Sequence, residues 1–296
     1  MNILRPTGFD SYIGQETVKK NLKVIADKMC SVGESLLDHT LLCGPSGLGK
    51  TSLARIFVKE ATGMSLKSEF IGSRISSPDV FDNFMYKHLH GQSIFIDEIH
   101  ALPGKVEEAL YEAMEDFTWQ NKAISPFAVI GATTKEGFLS KPLHDRFTII
   151  ETLDFYIIED LKKIIHRSSE ILGIEVAGEA EEEIARRSRG TPRMANQLLK
   201  RLVNYAINNQ ISLVLARSAL NDIGIDAYGL DRNDRAIIKA LKKNGAMGLD
   251  SLASIVNEDV STIETLREPY LVAAGFVQRT PRGRELTEEG KQKAGE

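Results

Sequence analysis

Cysteine is nearly absent: the chain has only two, Cys30 and Cys43, and neither sits in a CxxC or a Cys/His cluster. That argues against a structural zinc site or a disulfide framework, and a reducing cytoplasm is the expected setting. Long apolar runs are missing too. Nothing approaches the roughly 20 residues needed to span a bilayer, and the opening Met1–Pro6 has no apolar signal-peptide core. No membrane partner is expected. Nor is there an excess of positive charge, since 37 Lys+Arg against 41 Asp+Glu leave a formal net charge of -4. Any contact with nucleic acid must therefore come from a local basic patch. Internal repeats and low-complexity segments are absent as well.

What is present is ordinary in bulk and specific in detail. A chain of 296 residues, 42% hydrophobic and 26% charged, has the composition of a soluble globular protein. Its length suits two or three domains. Short apolar runs at 40–43, 93–96 and 127–130, separated by helical patterns such as 50–61, predict a parallel sheet covered on both faces. After about Phe155 the strand signal stops. Helices are expected at 161–172, 180–187 and 192–208, then, past a boundary at 227–230, at 233–243, 249–256 and 262–273. A strand at 275–280 and a turn at 281–284 follow, and helices ending in a β-hairpin with a basic tip suggest a winged helix. The expected architecture is α/β: a parallel-sheet domain (1–156), a small helical domain (157–227) and a winged-helix domain (228–296).

Gly44-Pro45-Ser46-Gly47-Leu48-Gly49-Lys50-Thr51 fits GxxxxGK[ST] in full. Glycines let backbone N–H groups curl around phosphates without Cβ clashes, and the following helix N-terminus adds partial positive charge. Lys50 is expected to reach the β- and γ-phosphates and the Thr51 hydroxyl to bind Mg²⁺. Gly44, Gly47, Gly49, Lys50, Thr51 and Ser52 form the candidate phosphate-binding set. The bland alternative is a glycine-rich turn with a stray lysine, and the strand before it and helix after it weigh against that. Asp97-Glu98 closes a second apolar strand. There Asp97 stands beside the metal with Thr51, and Glu98 polarises the attacking water. Alone, the pair reads equally well as an acidic helix cap; after the loop at 44–51 it reads as an NTPase site, for ATP with Mg²⁺.

Beyond this point the chain resembles AAA+ proteins. Gly131-Ala132-Thr133-Thr134 matches the sensor-1 position, with Thr134 the favoured sensor. Pro142-Leu143-His144-Asp145-Arg146-Phe147 resembles the stretch carrying an arginine finger, which implies that Arg146 acts on a neighbouring subunit's nucleotide. Gly190-Thr191-Pro192-Arg193 matches sensor 2, which implies that Arg193 reaches the γ-phosphate. As bland readings, Arg146 pairs with Asp145 at the surface and Arg193 simply faces water.

Within AAA+ proteins the resemblance is to the RuvB family, the ring ATPases of Holliday junction branch migration, over nearly the whole chain. Leu4-Arg5-Pro6 with Tyr12-Ile13-Gly14-Gln15-Glu16, Asp97-Glu98-Ile99-His100, Ala113-Met114-Glu115-Asp116-Phe117, Ile130–Thr134 and Ala185–Arg193 carry it, as do Glu268-Pro269-Tyr270-Leu271 and Gly275–Arg284. It implies adenine contacts from Leu4, Arg5 and Tyr156, phosphate contacts to DNA from Arg279 and Arg284, a homo-hexamer, and double-stranded and four-way-junction DNA as partners. Such contacts give salt-sensitive, sequence-independent affinity. The expected role is DNA recombination and repair.

Three departures stand out. Residues 116–126 are markedly shorter than the family's equivalent, which forms a hairpin docking the partner RuvA. This implies a chain that works without RuvA or with a different adaptor. Trp119, the only tryptophan, lies in the remnant and reads first as a packing residue and second as an interface anchor. His144 and Ser46 replace a usual arginine and a common proline. Two competing functions fit less well: an ATP-gated DNA-binding or assembly factor, which has less need of Glu98 and Arg146, and a clamp-loader-like subunit, which lacks the basic winged-helix ending.

Overall fold

A computed structural model describes residues 3–88 and 90–293. Met1, Asn2 and residues 294–296, at the outer ends of the expected first and third domains, lie outside the described residues. The chain forms two compact units, residues 1–44 with 48–154 and residues 45–47 with 155–296.

The first unit runs through α1 (Glu16–Val32), β1 (Thr40–Cys43), α2 (Lys50–Thr62), β2 (Ser68–Ile71), α3 (Asp82–Met85), β3 (Ser93–Asp97) and α4 (Gly104–Asp116). It continues with β4 (Thr118–Trp119), β5 (Lys122–Ala123), β6 (Ala128–Thr133), α5 (Lys141–His144) and β7 (Ile149–Thr152). Five strands make a parallel sheet in the order β2-β3-β6-β1-β7. The three central strands are buried from end to end except at Asp97, which is why they read as unbroken apolar runs. The edge strands β2 and β7 alternate half-buried and exposed residues instead, and that pattern hid them from the sequence reading. α4 turns Val106, Leu110, Ala113 and Met114 into a core shared with Phe81, Phe84, Trp119 and Phe127. α2 buries Leu53, Phe57 and Ala61 at the same helical spacing.

β4 and β5 are a two-residue-per-strand antiparallel hairpin turning through Gln120 and Asn121, both left-handed at φ 48° and 62°. This is the twist a two-residue hairpin requires. Trp119 points inward and is 1% exposed. Its Nε1 donates to Asp82 Oδ1 at 2.8 Å and its ring meets Phe81 edge to face. The packing role holds, and no indole surface is left to anchor an interface.

The second unit carries the lid: α6 (Ile158–Leu172), β8 (Glu175–Val176), α7 (Gly178–Arg187), α8 (Pro192–Val203), β9 (Gln210–Ile211) and α9 (Leu213–Asp222). β8 and β9 form a short parallel pair, so strand structure does not end at Phe155. The helix expected to reach residue 208 stops at Val203, and Asn208 and Asn209 then take left-handed backbone in a turn bridging Ile207 to Gln210. The winged helix follows with α10 (Arg232–Asn244), α11 (Leu249–Val256), α12 (Val260–Thr262), a π-helical turn at Ile263–Arg267, α13 (Glu268–Ala273), β10 (Val277–Thr280), β11 (Gly283–Leu286) and α14 (Glu288–Lys293). Its core is Leu230, Ile237, Leu241, Leu252, Ile263, Leu271 and Phe276 with their neighbours. Gly283 and Arg284, expected in the turn, belong to β11, which leaves Pro281 and Arg282 at the tip.

Candidate nucleotide and DNA sites

β1, β6 and β3 are parallel neighbours, with Cys43 opposite Thr133 and Ile96 opposite Gly131. The segments after all three strands therefore leave the sheet at one edge, where ligands of parallel α/β sheets bind. The segment after β1 is the glycine loop. Gly44, Gly47 and Gly49 have φ of 130°, 88° and 103°, a region costly for any residue with a Cβ. A Cβ on Gly44 would stand 2.4 Å from the Leu153 carbonyl oxygen, and one on Gly49 would stand 2.7 Å from Tyr12 Oη. The cradle is thus closed to side chains and lined by backbone. Lys50 is buried at the start of α2, its Nζ donating to the Gly44 carbonyl at 2.5 Å. Thr51 and Ser52 follow in the first turn, half-buried.

The segment after β3 holds the carboxylates. Glu98 is exposed and left-handed at φ 51°. Its N–H donates to Asp97 Oδ1 at 3.0 Å, and its Oε2 accepts from Ser73 Oγ at 3.1 Å. The segment after β6 adds Thr133 and Thr134. The Thr133 hydroxyl, buried, lies 2.9 Å from His100 Nδ1 and accepts the Lys135 N–H at 2.9 Å. Thr134 is half-buried. Burial pulls the His100 pKa down against the opposing pull of Glu98.

Arg146 follows α5. Its Nη2 pairs with Glu115 of α4, not with Asp145, and its Nε is buried without a hydrogen-bond partner. His144 bonds Glu136 at 3.2 Å. In the second unit Arg193, exposed, donates from Nη1 to Ser46 Oγ at 3.1 Å, and its N–H reaches the Gly47 carbonyl at 3.3 Å. Arg193 thereby stands against the loop apex rather than facing water alone. Tyr156 is buried and donates its N–H to the Gly190 carbonyl at 2.9 Å. Leu4 is buried in the first unit and Arg5 is exposed.

On the winged helix Arg279 and Arg284 are cross-strand partners, and both grip Glu268 of α13, which is 2% exposed. Arg279 Nε lies 2.6 Å from Oε1, while Arg284 contacts both carboxylate oxygens at 3.0 and 3.1 Å. Their exposures differ, 61% for Arg279 and 21% for Arg284. His100, Glu115 and Glu268 lie in motifs visible in the sequence, but no partner for them or for Ser73 is legible there. Ser73, His100 and Glu115 sit 25, 33 and 31 residues from their partners, and no local spacing signals such pairs.

Comparison with known proteins agrees across the chain. Residues 4–153 match the family described as "Holliday junction DNA helicase RuvB P-loop domain", residues 156–226 the RuvB AAA lid domain, and residues 227–293 the RuvB C-terminal winged helix domain. The Bdellovibrio bacteriovorus Holliday junction branch migration complex subunit RuvB is 42% identical over 308 aligned positions, covering 98% of this chain and 93% of that protein. That alignment is longer than the chain, so the relative carries residues with no counterpart here. The Lactobacillus johnsonii subunit of the same name is 43% identical, covering 96% and 88%. Among solved structures, the Thermotoga maritima RuvB Holliday junction branch migration motor superposes with a TM-score of 0.91 at 41% identity, covering 98% of this chain and 97% of that one. With a P-loop domain, a lid and a winged helix matched in order from residue 4 to residue 293, the chain belongs to the RuvB family of AAA+ branch-migration ATPases.

Proposed function

We propose that this chain is the ATP-driven motor of Holliday junction branch migration, acting as a ring of six copies on double-stranded and four-way-junction DNA in the cytoplasm. The observation that carries the reading is the occurrence, in one chain, of a complete phosphate cradle and an Asp97-Glu98 strand end with a RuvB-type winged helix. The division of labour is 1–156 for hydrolysis, 157–227 for the lid and 228–296 for DNA.

Loop N–H groups at Gly44, Gly47 and Gly49, with Lys50 and Ser52, hold the phosphates. Leu4, Arg5 and Tyr156 hold the adenine. Glu98 orients the attacking water and Thr134 reads the γ-phosphate from the end of β6. Arg193 reaches it from the lid, and Arg146 enters the neighbour's site to balance charge built up in the transition state. No three His, Cys, Asp or Glu side chains among the described residues are grouped to hold a metal unaided. A hydroxyl and a carboxylate suit Mg²⁺, which takes few protein ligands and keeps phosphate and water in its shell. Thr51 and Asp97 are the residues to hold it, and when bound it neutralises phosphate charge. Arg279 and Arg284 meet DNA phosphates.

The hairpin at 118–123 supports a motor that works without RuvA or with another adaptor, since its only large apolar side chain is buried in its own domain. Among the described residues no helix is long and apolar enough to cross a membrane. The alternative of an ATP-gated binding or assembly factor is not favoured, and Glu98 and Arg146 speak for sustained turnover. A branch-migration assay on a synthetic four-way junction, with and without RuvA, tests the proposal. ATP-dependent strand exchange lost in Lys50→Ala is expected, and no exchange under either condition would overturn it.

A further inference from the structure

The loop Ser188–Thr191, between α7 and α8, meets three parts of the second unit. Its Gly190 carbonyl accepts the Tyr156 N–H. Its Thr191 hydroxyl caps α8 through the Met194 N–H at 3.3 Å, and α8 opens with Arg193. Arg189 faces the winged helix instead. It is 7% exposed, with left-handed backbone at φ 54°. Its Nε donates to the Gly229 carbonyl at 2.7 Å. Its Nη2 pairs with Asp234 and lies 3.3 Å from Asp231, and the guanidinium stands 5.7 Å from the centre of the Tyr270 ring.

All four partners lie in the winged-helix region, and behind them the charges continue. Asp234, fully buried, also accepts from Arg267 at 3.1 Å. Arg267 closes the π-helical turn and holds Asp231 at 2.9 Å and Glu258 at 2.6 Å. Burial pushes the Asp231 carboxyl up, but the Asp234 N–H and the Arg267 guanidinium outweigh it and hold the pKa at about 2. A network of buried ions tolerates few arrangements, because a half-broken one strands a charge away from water. It therefore passes a displacement on rather than absorbing it. Left-handed backbone at a residue with a side chain is itself unfavourable and persists where surrounding contacts enforce it.

We propose that Arg189 is a positioning residue that ties the lid end bearing Tyr156, Gly190 and Arg193 to the winged helix, so that movement of α8 on nucleotide turnover moves the DNA-binding head. This rests on the motor reading above. The test compares the parental protein with the charge-balanced pair Arg189→Met and Asp234→Asn, and with Arg189→Lys, which keeps the charge but loses the fork. Thermal unfolding, DNA-free ATP turnover, duplex binding and junction movement per ATP hydrolysed are read for each. Near-parental ATP turnover and duplex binding are expected in both variants. Junction movement per ATP should fall by about tenfold in the pair, in the usual range for coupling between linked sites, and by less in Arg189→Lys. Parental movement per ATP in a folded variant overturns the proposal, as does a loss confined to DNA-free turnover. If the pair does not fold, Arg189→Lys decides between these outcomes. Parental protein that moves no junction would instead overturn the motor reading, and the proposal with it.

Discussion

Replacing Arg146 by alanine separates what that side chain does for folding from what it does for hydrolysis. Arg146 is 29% exposed and its one carboxylate partner, Glu115, is 54% exposed. An ion pair this open to solvent contributes about 0–1 kcal/mol. For a domain of roughly 150–250 residues that is a loss of at most about 2–4 °C in Tm. An arginine finger, by contrast, contributes about 10³–10⁵ in kcat, or about 4–7 kcal/mol of barrier. Arg146→Ala should therefore unfold almost like the parent and turn over ATP at least about a thousandfold more slowly. Mixing decides whether the arginine works across a seam between subunits. An Arg146→Ala chain keeps its phosphate loop, and a Lys50→Ala chain keeps its finger. In an equimolar ring about a quarter of head-to-tail seams pair an intact loop with an intact finger, so steady-state ATPase should reappear on mixing two inactive proteins. No recovery from mixtures that assemble would refute action in trans, and parental turnover by Arg146→Ala alone would refute the finger.

Trp119→Ala should cost about 3–5 kcal/mol, the range for removing a large buried aromatic, and Trp119→Phe clearly less. Chemical denaturation measures both, and near-parental stability in Trp119→Ala would return the indole to an interface role. His39 is half-buried, with Nε2 at the Met114 carbonyl and Nδ1 accepting the Val129 N–H. Burial lowers its pKa below the usual 6.5, outweighing the Met114 hydrogen bond and the Asp38 charge. The unfolded chain therefore binds the proton first, so this stability is whole above about pH 6.5 and is lost below it, at up to about 1.4 kcal/mol per pH unit. His39→Gln should flatten that acid limb in a pH series of urea melts, and an unchanged limb would count against it. Arg279→Ala removes one of the three hydrogen bonds that the two arginines give Glu268 and should reduce the slope of log K for duplex against log salt by about 0.9. Arg284→Ala should lower that slope too and also destabilise the head by about 1–3 kcal/mol, more than Arg279→Ala does, because it removes two of those three hydrogen bonds to the buried Glu268. An Arg279→Ala head less stable than the Arg284→Ala head would contradict the difference in their exposures and contacts.

The central strands and the phosphate loop were legible because their physics is local. A strand buried on both faces must be apolar throughout, and a loop that wraps phosphate with backbone must carry glycine where φ is positive. Thr40-Leu41-Leu42-Cys43 followed by Gly44-Pro45-Ser46-Gly47-Leu48-Gly49-Lys50-Thr51 states both conditions in one continuous stretch. Edge strands such as Ser68–Ile71, half exposed, and the two-residue pair Glu175–Val176 with Gln210–Ile211 carry no such signature. They are strands only because a neighbour distant in sequence supplies the hydrogen bonds. The same holds for Ser73 on Glu98, His100 on Thr133, Glu115 on Arg146, and Arg189 on Asp234. The residue types were visible along the chain, but the partner of a buried or half-buried charge is settled by the folded packing, where an unmatched ion is too costly to leave alone.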